Sequence, residues 1–292
     1  MILGCEMKKL VSVAVFLLTV TQVFAEIPDH HAHEGTTELR FNYEFLDFEN
    51  SKQKEDGTRY GVTLDHQNKL HHYQVYYEHS ATHTKPVMPK DLSVDKYAFK
   101  YQYAMGKGQR LSLTYIQIDD NLIDAVDGGK IYGFGYKYKA LSMMQYISDY
   151  SDFNVYQTDV KWGMKKKFSD VHVKGALIGK YMYIQDRMTN NFTKKTKQDY
   201  FTLGVKIHAE YDDWHVSAVG YVGERIFSVM NEGLRVQHHA MAFQKSAMFA
   251  LGKKFDDIFI NVRYVKQYAT EVPMENKDVK VSNIALSVAY TF

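Results

Sequence analysis

From residue 36 to residue 292, the chain is a series of runs of about ten residues in which apolar and polar side chains alternate, separated by polar turns. About fourteen such runs follow one another. The run at 96–105, KYAFKYQYAM, is the clearest internal example, because every second residue is aromatic or methionine. A period of two is that of a β-strand, whose successive side chains point to opposite faces of a sheet. The repeat therefore predicts an all-β chain whose strands each have one apolar and one polar face.

The segments between the runs alternate in length. Short turns such as HQNK, MGKGQ and YDDW alternate with longer loops, which we predict at residues 80–93, 119–129, 185–198, 224–239 and 269–280. A soluble β-sandwich, the alternative fold, has no reason to alternate its connections, whereas a transmembrane barrel has short turns on one side of the membrane and long loops on the other. The pattern predicts a transmembrane antiparallel up-and-down β-barrel over residues 36–292, with about 14 strands and a range of about 12 to 16.

Two runs depart from strict alternation. In the seventh, Met143 and Met144 are adjacent, so the side of the sheet to which each residue points is ambiguous. In the twelfth, Lys245 falls on the face that carries Phe243 and Phe249. We interpret both as strands of the barrel whose two faces are less well defined.

The last run, VSNIALSVAYTF, has its apolar residues on one face and small or polar residues on the other. The apolar face consists of Ile284, Leu286, Val288, Tyr290 and Phe292. A final strand that ends on an aromatic residue resembles the C-terminal signature of bacterial outer-membrane β-barrels, and the size and strand number resemble small monomeric fourteen-stranded porins. The resemblance implies that the last strand closes on the first in the outer membrane of a Gram-negative bacterium. The implied partners are outer-membrane lipid, small hydrophilic solutes or anions, and the barrel-assembly machinery, which binds through the C-terminal strand.

The N-terminal segment has the features of a secretory signal peptide. Lys8 and Lys9 precede an apolar core at residues 10–20, and Val-Phe-Ala at 23–25 forms a cleavage pattern before Glu26. We therefore predict a signal peptide at 1–25 and a short disordered periplasmic leader at 26–35. Cys5, the one cysteine of the chain, would be removed with the signal. The leader contains three histidines, which we interpret as a flexible polar segment, with loose metal binding as the alternative: His30, His31 and His33.

The polar faces of the strands are rich in lysine and arginine. Assigned by alternation, the predicted lumen-facing basic residues are Arg40, Arg59, Lys96, Lys100, Arg110, Lys137, Lys139, Lys161, Lys174, Lys180, Lys206, Arg225 and Arg263. The predicted lumen-facing acidic residues are Glu38, Glu44, Asp65, Glu78, Asp159, Glu210 and Asp257. An excess of bases inside a low-dielectric wall predicts a porin-like channel for passive diffusion that weakly prefers anions. The alternative, in which these bases pair with the acids across strands and leave little field, stays open.

The sequence offers weak support for an enzyme. Asp213-Trp-His215 together with Asp119-Asp120 resembles the catalytic residues of outer-membrane aspartate/histidine proteases, but the predicted topology puts the two groups at opposite ends of the barrel. His79-Ser80 is a single dipeptide and no catalytic triad. We therefore predict no catalytic residue, no metal site and no cofactor, and the near-neutral net charge of +2 predicts no nucleic-acid partner. A barrel that acts through its loops in adhesion, or less favourably as a hydrolase, is the alternative function.

Overall fold

A computed structural model describes residues 35–186, 188 and 192–292. The predicted signal peptide and all but the last residue of the leader lie outside the described residues. No helix among the described residues is long and apolar enough to span a membrane. The strands are β1 (Thr36–Glu49), β2 (Lys54–Gln67), β3 (His71–Thr84), β4 (Leu92–Gly106), β5 (Gln109–Asp120), β6 (Lys130–Tyr138), β7 (Leu141–Asp149), β8 (Asn154–Phe168), β9 (Val171–Gln185), β10 (Asp199–Tyr211), β11 (Trp214–Arg225), β12 (Val229–Met230), β13 (Arg235–Val236), β14 (Met241–Phe255), β15 (Ile258–Glu271) and β16 (Asn276–Thr291).

Fourteen of these strands form one closed antiparallel barrel, in the order β1-β16-β15-β14-β11-β10-β9-β8-β7-β6-β5-β4-β3-β2. The remaining two, β12 and β13, pair only with each other. The barrel closes where β1 pairs with β16, with Phe41 opposite Val288 and Phe45 opposite Ile284. The backbone nitrogen of Phe292 donates a hydrogen bond to the carbonyl oxygen of Thr37 at 2.9 Å. The predicted fold, strand number and closure of the last strand on the first are confirmed.

The outer face of the barrel is apolar, as alternation predicts. On β16, the side chains of Ile284, Leu286, Val288, Tyr290 and Phe292 are exposed. The residues between them, such as Ala285 and Ala289, are buried on the inner side. Exposed apolar side chains occur on nearly every barrel strand, which is the surface that a lipid bilayer requires. Trp162 and Trp214 lie near the same end of the barrel and are both exposed, as in an aromatic girdle.

The connections between barrel strands alternate in length. At one end, which we call the short-turn end, the connections are 68–70, 107–108, 139–140, 169–170, 212–213 and 256–257, and both chain ends of the barrel lie there. At the other, the long-loop end, they are 50–53, 85–91, 121–129, 150–153, 186–198, 226–240 and 272–275. The predicted loops at 80–93 and 269–280 are wrong in length, because strand pairing continues to Thr82 opposite Leu92 and to Glu271 opposite Asn276. These strands extend beyond the apolar outer surface of the barrel. There the backbone pairing continues although apolar and polar side chains no longer alternate.

The two irregular runs have physical explanations. Met143 points outward and Met144 inward, where a Cβ on Gly135 would lie 1.8 Å from the Met144 sulfur, so glycine makes room for that side chain. In β14 a register shift between Phe243 and Lys245 reverses the parity. Phe243 is therefore buried inside the barrel, whereas Lys245 is exposed outside, so the prediction that they share a face is wrong. One extra residue at a bulge exchanges the two faces of a strand.

Replacing Phe292 by aspartate is expected to reduce the amount of folded barrel, because the terminal strand pairs with β1 and presents this exposed aromatic side chain to lipid. Heat-modifiable migration in an electrophoresis gel measures the folded fraction. Thr291→Asp is the control, since this residue is on the opposite face of β16 and lines the interior. Wild-type amounts of folded Phe292→Asp would contradict the importance of the terminal aromatic.

Candidate functional site: the charged lumen

The interior of the barrel holds a cavity of about 1280 Å³. At the short-turn end its wall includes Asp257 and Thr291, and toward the long-loop end it includes Lys54 and Thr82. Glu232 and Arg235, which belong to the connection between β11 and β14, also line it. The wall combines charged and amide side chains with a few apolar ones. The inner space is therefore polar, in contrast to the outer face of the same strands.

Most of the lumen-facing residues that the sequence indicates lie on this wall. The bases on the cavity wall are Arg40, Arg59, Lys96, Lys100, Arg110, Lys137, Lys139, Lys161, Lys174, Lys180, Lys206, Arg225 and Arg263, and the acids are Glu38, Glu78, Asp159 and Asp257. Three further acids, Glu44, Asp65 and Glu210, bond to neighbouring side chains of the inner face.

The connection 226–240, which we call the crossing hairpin, folds into the lumen. Its two short strands pair Val229 with Val236. At its tip, Gly233 has a φ of 100° and approaches Thr114 of β5, where an added Cβ would lie 2.7 Å from the threonine side chain. The hairpin connects β11 to β14. In the closed strand order, β4 and β5 lie on the side of the barrel opposite these two strands. The hairpin therefore reaches across the barrel and narrows it.

The base of the crossing hairpin is held by an apolar cluster at the long-loop end. The ring of Phe227 lies 5.0 Å from that of Phe153 and 5.7 Å from that of Phe192. Phe153 also stacks on Tyr150 at 4.7 Å. The side-chain amide of Gln157 donates a hydrogen bond to the carbonyl oxygen of Val229, and its oxygen accepts one from the nitrogen of the same residue, both at 2.8 Å. These contacts fix the hairpin against two connections and one strand.

Glu232, at the tip of the hairpin, is bound by lysines of the barrel wall. Its carboxylate accepts a hydrogen bond from Lys161 and lies 3.5 Å from the Nζ of Lys100. Desolvation opposes the ionisation of Glu232, but the charges of Lys100 and Lys161 outweigh it and lower the pKa to about 2. Its backbone has a φ of 56°, which is uncommon for a residue other than glycine. The tip therefore places a permanent negative charge in a basic part of the lumen.

A second ionic network joins the hairpin to β1 and β3. Arg235 pairs with the buried carboxylate of Glu44 and lies 3.6 Å from Glu78. Glu44 also binds Arg59 and Arg263, and Glu78 binds Arg59 at 3.5 Å. A buried carboxylate is stable when charged partners and hydrogen bonds compensate for its desolvation. Because Arg235 completes this compensation, the network holds the hairpin inside the barrel.

Some bases on the wall have no ion pair in the described part of the chain. Arg110 lies directly opposite Lys137 in the pairing of β5 with β6, and neither has an acid within 4.0 Å. Lys137 is opposite Ser142, which is opposite Lys161. Lys206 on β10 also forms no ion pair within the described residues. This side of the lumen therefore carries uncompensated positive charge.

The histidine and aspartate residues that suggested hydrolysis do not form an active site. Asp213 is in the turn at the short-turn end, whereas Asp120 ends β5 at the long-loop end. Asp120 instead contacts His238 of the crossing hairpin at 3.2 Å. His79 pairs with Asp95 at 2.8 Å, whereas Ser80 lines the cavity on the other face of β3. The length of the barrel therefore separates Asp120 from Asp213, and the barrel wall separates the side chain of His79 from that of Ser80.

Sequence reasoning missed the hairpin and its charged residues, Glu232 and Arg235. It predicted a long loop at residues 224–239 and left open whether that loop folds into the lumen, because loop position alone does not specify this. A signal was present: the segment from 226 to 236 reads IFSVMNEGLRV, with six large apolar residues among eleven. A loop of that composition is unusual on a surface and indicates burial.

No family model matches the sequence. No curated protein matches it either. Among solved structures, a bacterial polysaccharide outer membrane secretin is similar at a TM-score of 0.56, with 9% identity over 88% of this chain and 98% of that one. A deletion mutant of the monoaromatic hydrocarbon channel TodX is similar at 0.50, with 11% identity over 89% of this chain and 91% of that one. The Acinetobacter baumannii outer membrane protein Omp33 has a TM-score of 0.49, with 10% identity over 90% of this chain and 100% of that one. The chain thus has the fold of the β-barrels of Gram-negative outer membranes.

Proposed function

We propose that this outer-membrane barrel is a channel for the passive diffusion of small hydrophilic solutes and that it prefers anions. The observation that carries the proposal is the charge of the cavity wall, on which seventeen basic side chains stand against five acidic ones. The whole chain, by contrast, has a net charge of only +2. Segregated charge inside a low-dielectric wall attracts ions of the opposite sign into a pore.

Ion pairs on the cavity wall reduce the positive electrostatic potential of the lumen without removing it. Glu44, Glu78, Asp159 and Glu232 each bind at least one base, and several bind two or three. Nevertheless, Arg110, Lys137 and Lys206 have no acidic partner among the described residues. TodX is a channel for monoaromatic hydrocarbons, but the charged wall of this barrel supports hydrophilic solutes instead. The crossing hairpin sets the size limit in this proposal, and the role requires no catalytic residue.

We infer further that the barrel-assembly machinery recognises the apolar face of β16, since this strand ends the chain and closes the barrel. The proposed role also assigns the short-turn end to the periplasm and the long-loop end to the cell exterior. This orientation puts both ends of the barrel on the periplasmic side, as an even strand number requires.

Reconstitution in a planar bilayer under a salt gradient tests the channel. We expect a reversal potential of anionic sign that becomes smaller as salt rises, because the Debye length falls to ~3 Å at ~1 M salt. Heat-modifiable migration of the same preparation controls for correct folding. A reversal potential of cationic sign would contradict the anion preference, and a folded barrel without conductance would contradict the channel itself.

A further inference from the structure

We propose that Asp120, His238 and His239 bind a divalent first-row metal ion and that this ion fastens the crossing hairpin to the barrel wall. The inference goes beyond the proposed channel and does not depend on ion selectivity. Asp120 ends β5, and the two histidines follow β13 at the end of the hairpin, 118 residues later in the chain. The fold brings them together at the point where the hairpin returns to the wall.

The distances between the three side chains suit a metal ion. The Nε2 atoms of His238 and His239 lie 3.2 Å and 3.5 Å from Oδ2 of Asp120. All the candidate ligand atoms are within 4.8 Å of one another. Tetrahedral zinc ligands at about 2.1 Å from the ion are about 3.4 Å apart. An ion would therefore fit between these atoms with only small side-chain movements.

The carboxylate and one of the rings are already oriented for binding. Oδ1 of Asp120 accepts hydrogen bonds from the backbone nitrogens of Leu122 and Ile123 at 2.9 Å and 2.8 Å, which turns Oδ2 toward the histidines. Nε2 of His239 is buried and makes no hydrogen bond within the described residues. A buried ring nitrogen without a hydrogen bond is unusual in a native protein, and an ion would satisfy it once the hydrogen bond from Lys54 to Nδ1, which keeps the ring proton on Nε2, is released.

The ligand types restrict the identity of the ion. Two imidazoles and one carboxylate bind zinc in many proteins and also bind other first-row divalent metals. His238 and His239 both line the cavity, so a water molecule from the lumen can complete the coordination. The inferred role is structural, because the ion connects the hairpin to β5 in addition to the ionic contacts of Glu232 and Arg235.

Lys54 opposes metal binding and provides a diagnostic variant. Its Nζ lies 2.6 Å from Nδ1 of His239. An ammonium group at this position repels a divalent cation, so its removal should strengthen binding if the ion is held by His239. A general disturbance of the fold by the substitution would have the opposite effect.

Other histidine clusters must be removed before the measurement. His208, Glu210 and His215 form a second, more open group at the short-turn end, in which Glu210 also pairs with Lys174. The histidines of the leader are a further potential source of binding. The reference protein for the test is therefore the full chain in which the histidines of the leader and of this second group are replaced by asparagine: His30, His31, His33, His208 and His215.

Calorimetric titration of the refolded reference protein in detergent with zinc chloride tests the site. We expect about one zinc ion per chain, binding weaker by on the order of 10- to 100-fold or more in His238→Ala/His239→Ala, and tighter binding in Lys54→Met. Asp120→Asn, which keeps the shape of the side chain, is the second variant in case the double variant does not fold. Absence of zinc binding in the folded reference protein, or unchanged binding in folded His238→Ala/His239→Ala or Asp120→Asn, would overturn the proposal.

Trypsin cleavage after Arg235 supplies a readout of the fastening. Zinc should slow this cleavage in the reference protein and leave it unchanged in Asp120→Asn, because this variant lacks the carboxylate that links the ion to β5. Equal protection by zinc in both proteins would overturn the fastening role. Neither measurement involves conductance, so failure of this inference and failure of the proposed channel are distinguishable.

Discussion

A variant in which residues 228–237 are replaced by a short glycine-serine linker is expected to conduct several-fold more current per channel than the wild type. The hairpin reaches from β11 and β14 to Thr114 on the opposite wall, so its removal widens the narrowest part of the lumen. A barrel of about fourteen strands is close to the size at which an aqueous channel remains open. Single-channel recording in a planar bilayer measures the effect.

The matched control replaces residues 86–90 of another loop at the long-loop end by the same linker, since none of these residues lines the cavity. Its conductance should equal that of the wild type. Glu232→Gln separates size from charge: the hairpin stays in place, and anion preference should increase because a negative charge leaves the lumen. Equal conductance of the linker variant and the wild type would show that the hairpin does not limit the current.

The double substitution Arg110→Glu/Lys137→Glu is expected to reduce the anionic reversal potential strongly. The two side chains are cross-strand neighbours on the lumen wall and have no acidic partner among the described residues. The substitution changes the charge at this point by four units without breaking an ion pair within the described residues. Because the surrounding wall has a low dielectric constant, such a change in local charge should measurably lower the attraction of anions into the pore.

Lys52→Glu/Lys107→Glu is the control for this experiment, because it changes the net charge of the protein equally. Both lysines are exposed in connections outside the lumen. Its reversal potential should equal that of the wild type. If the lumen variant also keeps the wild-type reversal potential, the uncompensated bases of β5 and β6 do not control selectivity.

The strands could be predicted from sequence because their constraint is local. A strand between lipid and a wet interior must alternate, and the sequence therefore identifies the face of each side chain without knowledge of its neighbours. The lumen positions of Lys100, Arg110 and Lys137 follow directly. The parity of Phe243 and Lys245 could not be predicted in this way, because the bulge depends on how β14 pairs with β11 and β15.

Ion pairing inside the barrel could be predicted only in part. The sequence indicates that Glu44 and Arg263 face the lumen, but these residues are 219 positions apart and meet because β1 closes on β16 beside β15. Whether a base is neutralised therefore depends on register and closure. The same reason explains the failure to predict the cluster of Asp120 and His238, which is formed by a loop that returns to a distant strand.

The sequence by itself determined the class of fold, the strand number and the orientation of side chains toward lipid or lumen, because each follows from a period-two pattern and from turn lengths. Only the tertiary structure decided that residues 226–240 enter the barrel, that Glu232 and Arg235 reach across the lumen, and which bases stay without an acid. An inward and an outward loop can have the same connection length. The choice depends on the contacts of Phe227, Glu232 and Arg235 with strands and loops that are far away in the chain and form only when the barrel closes.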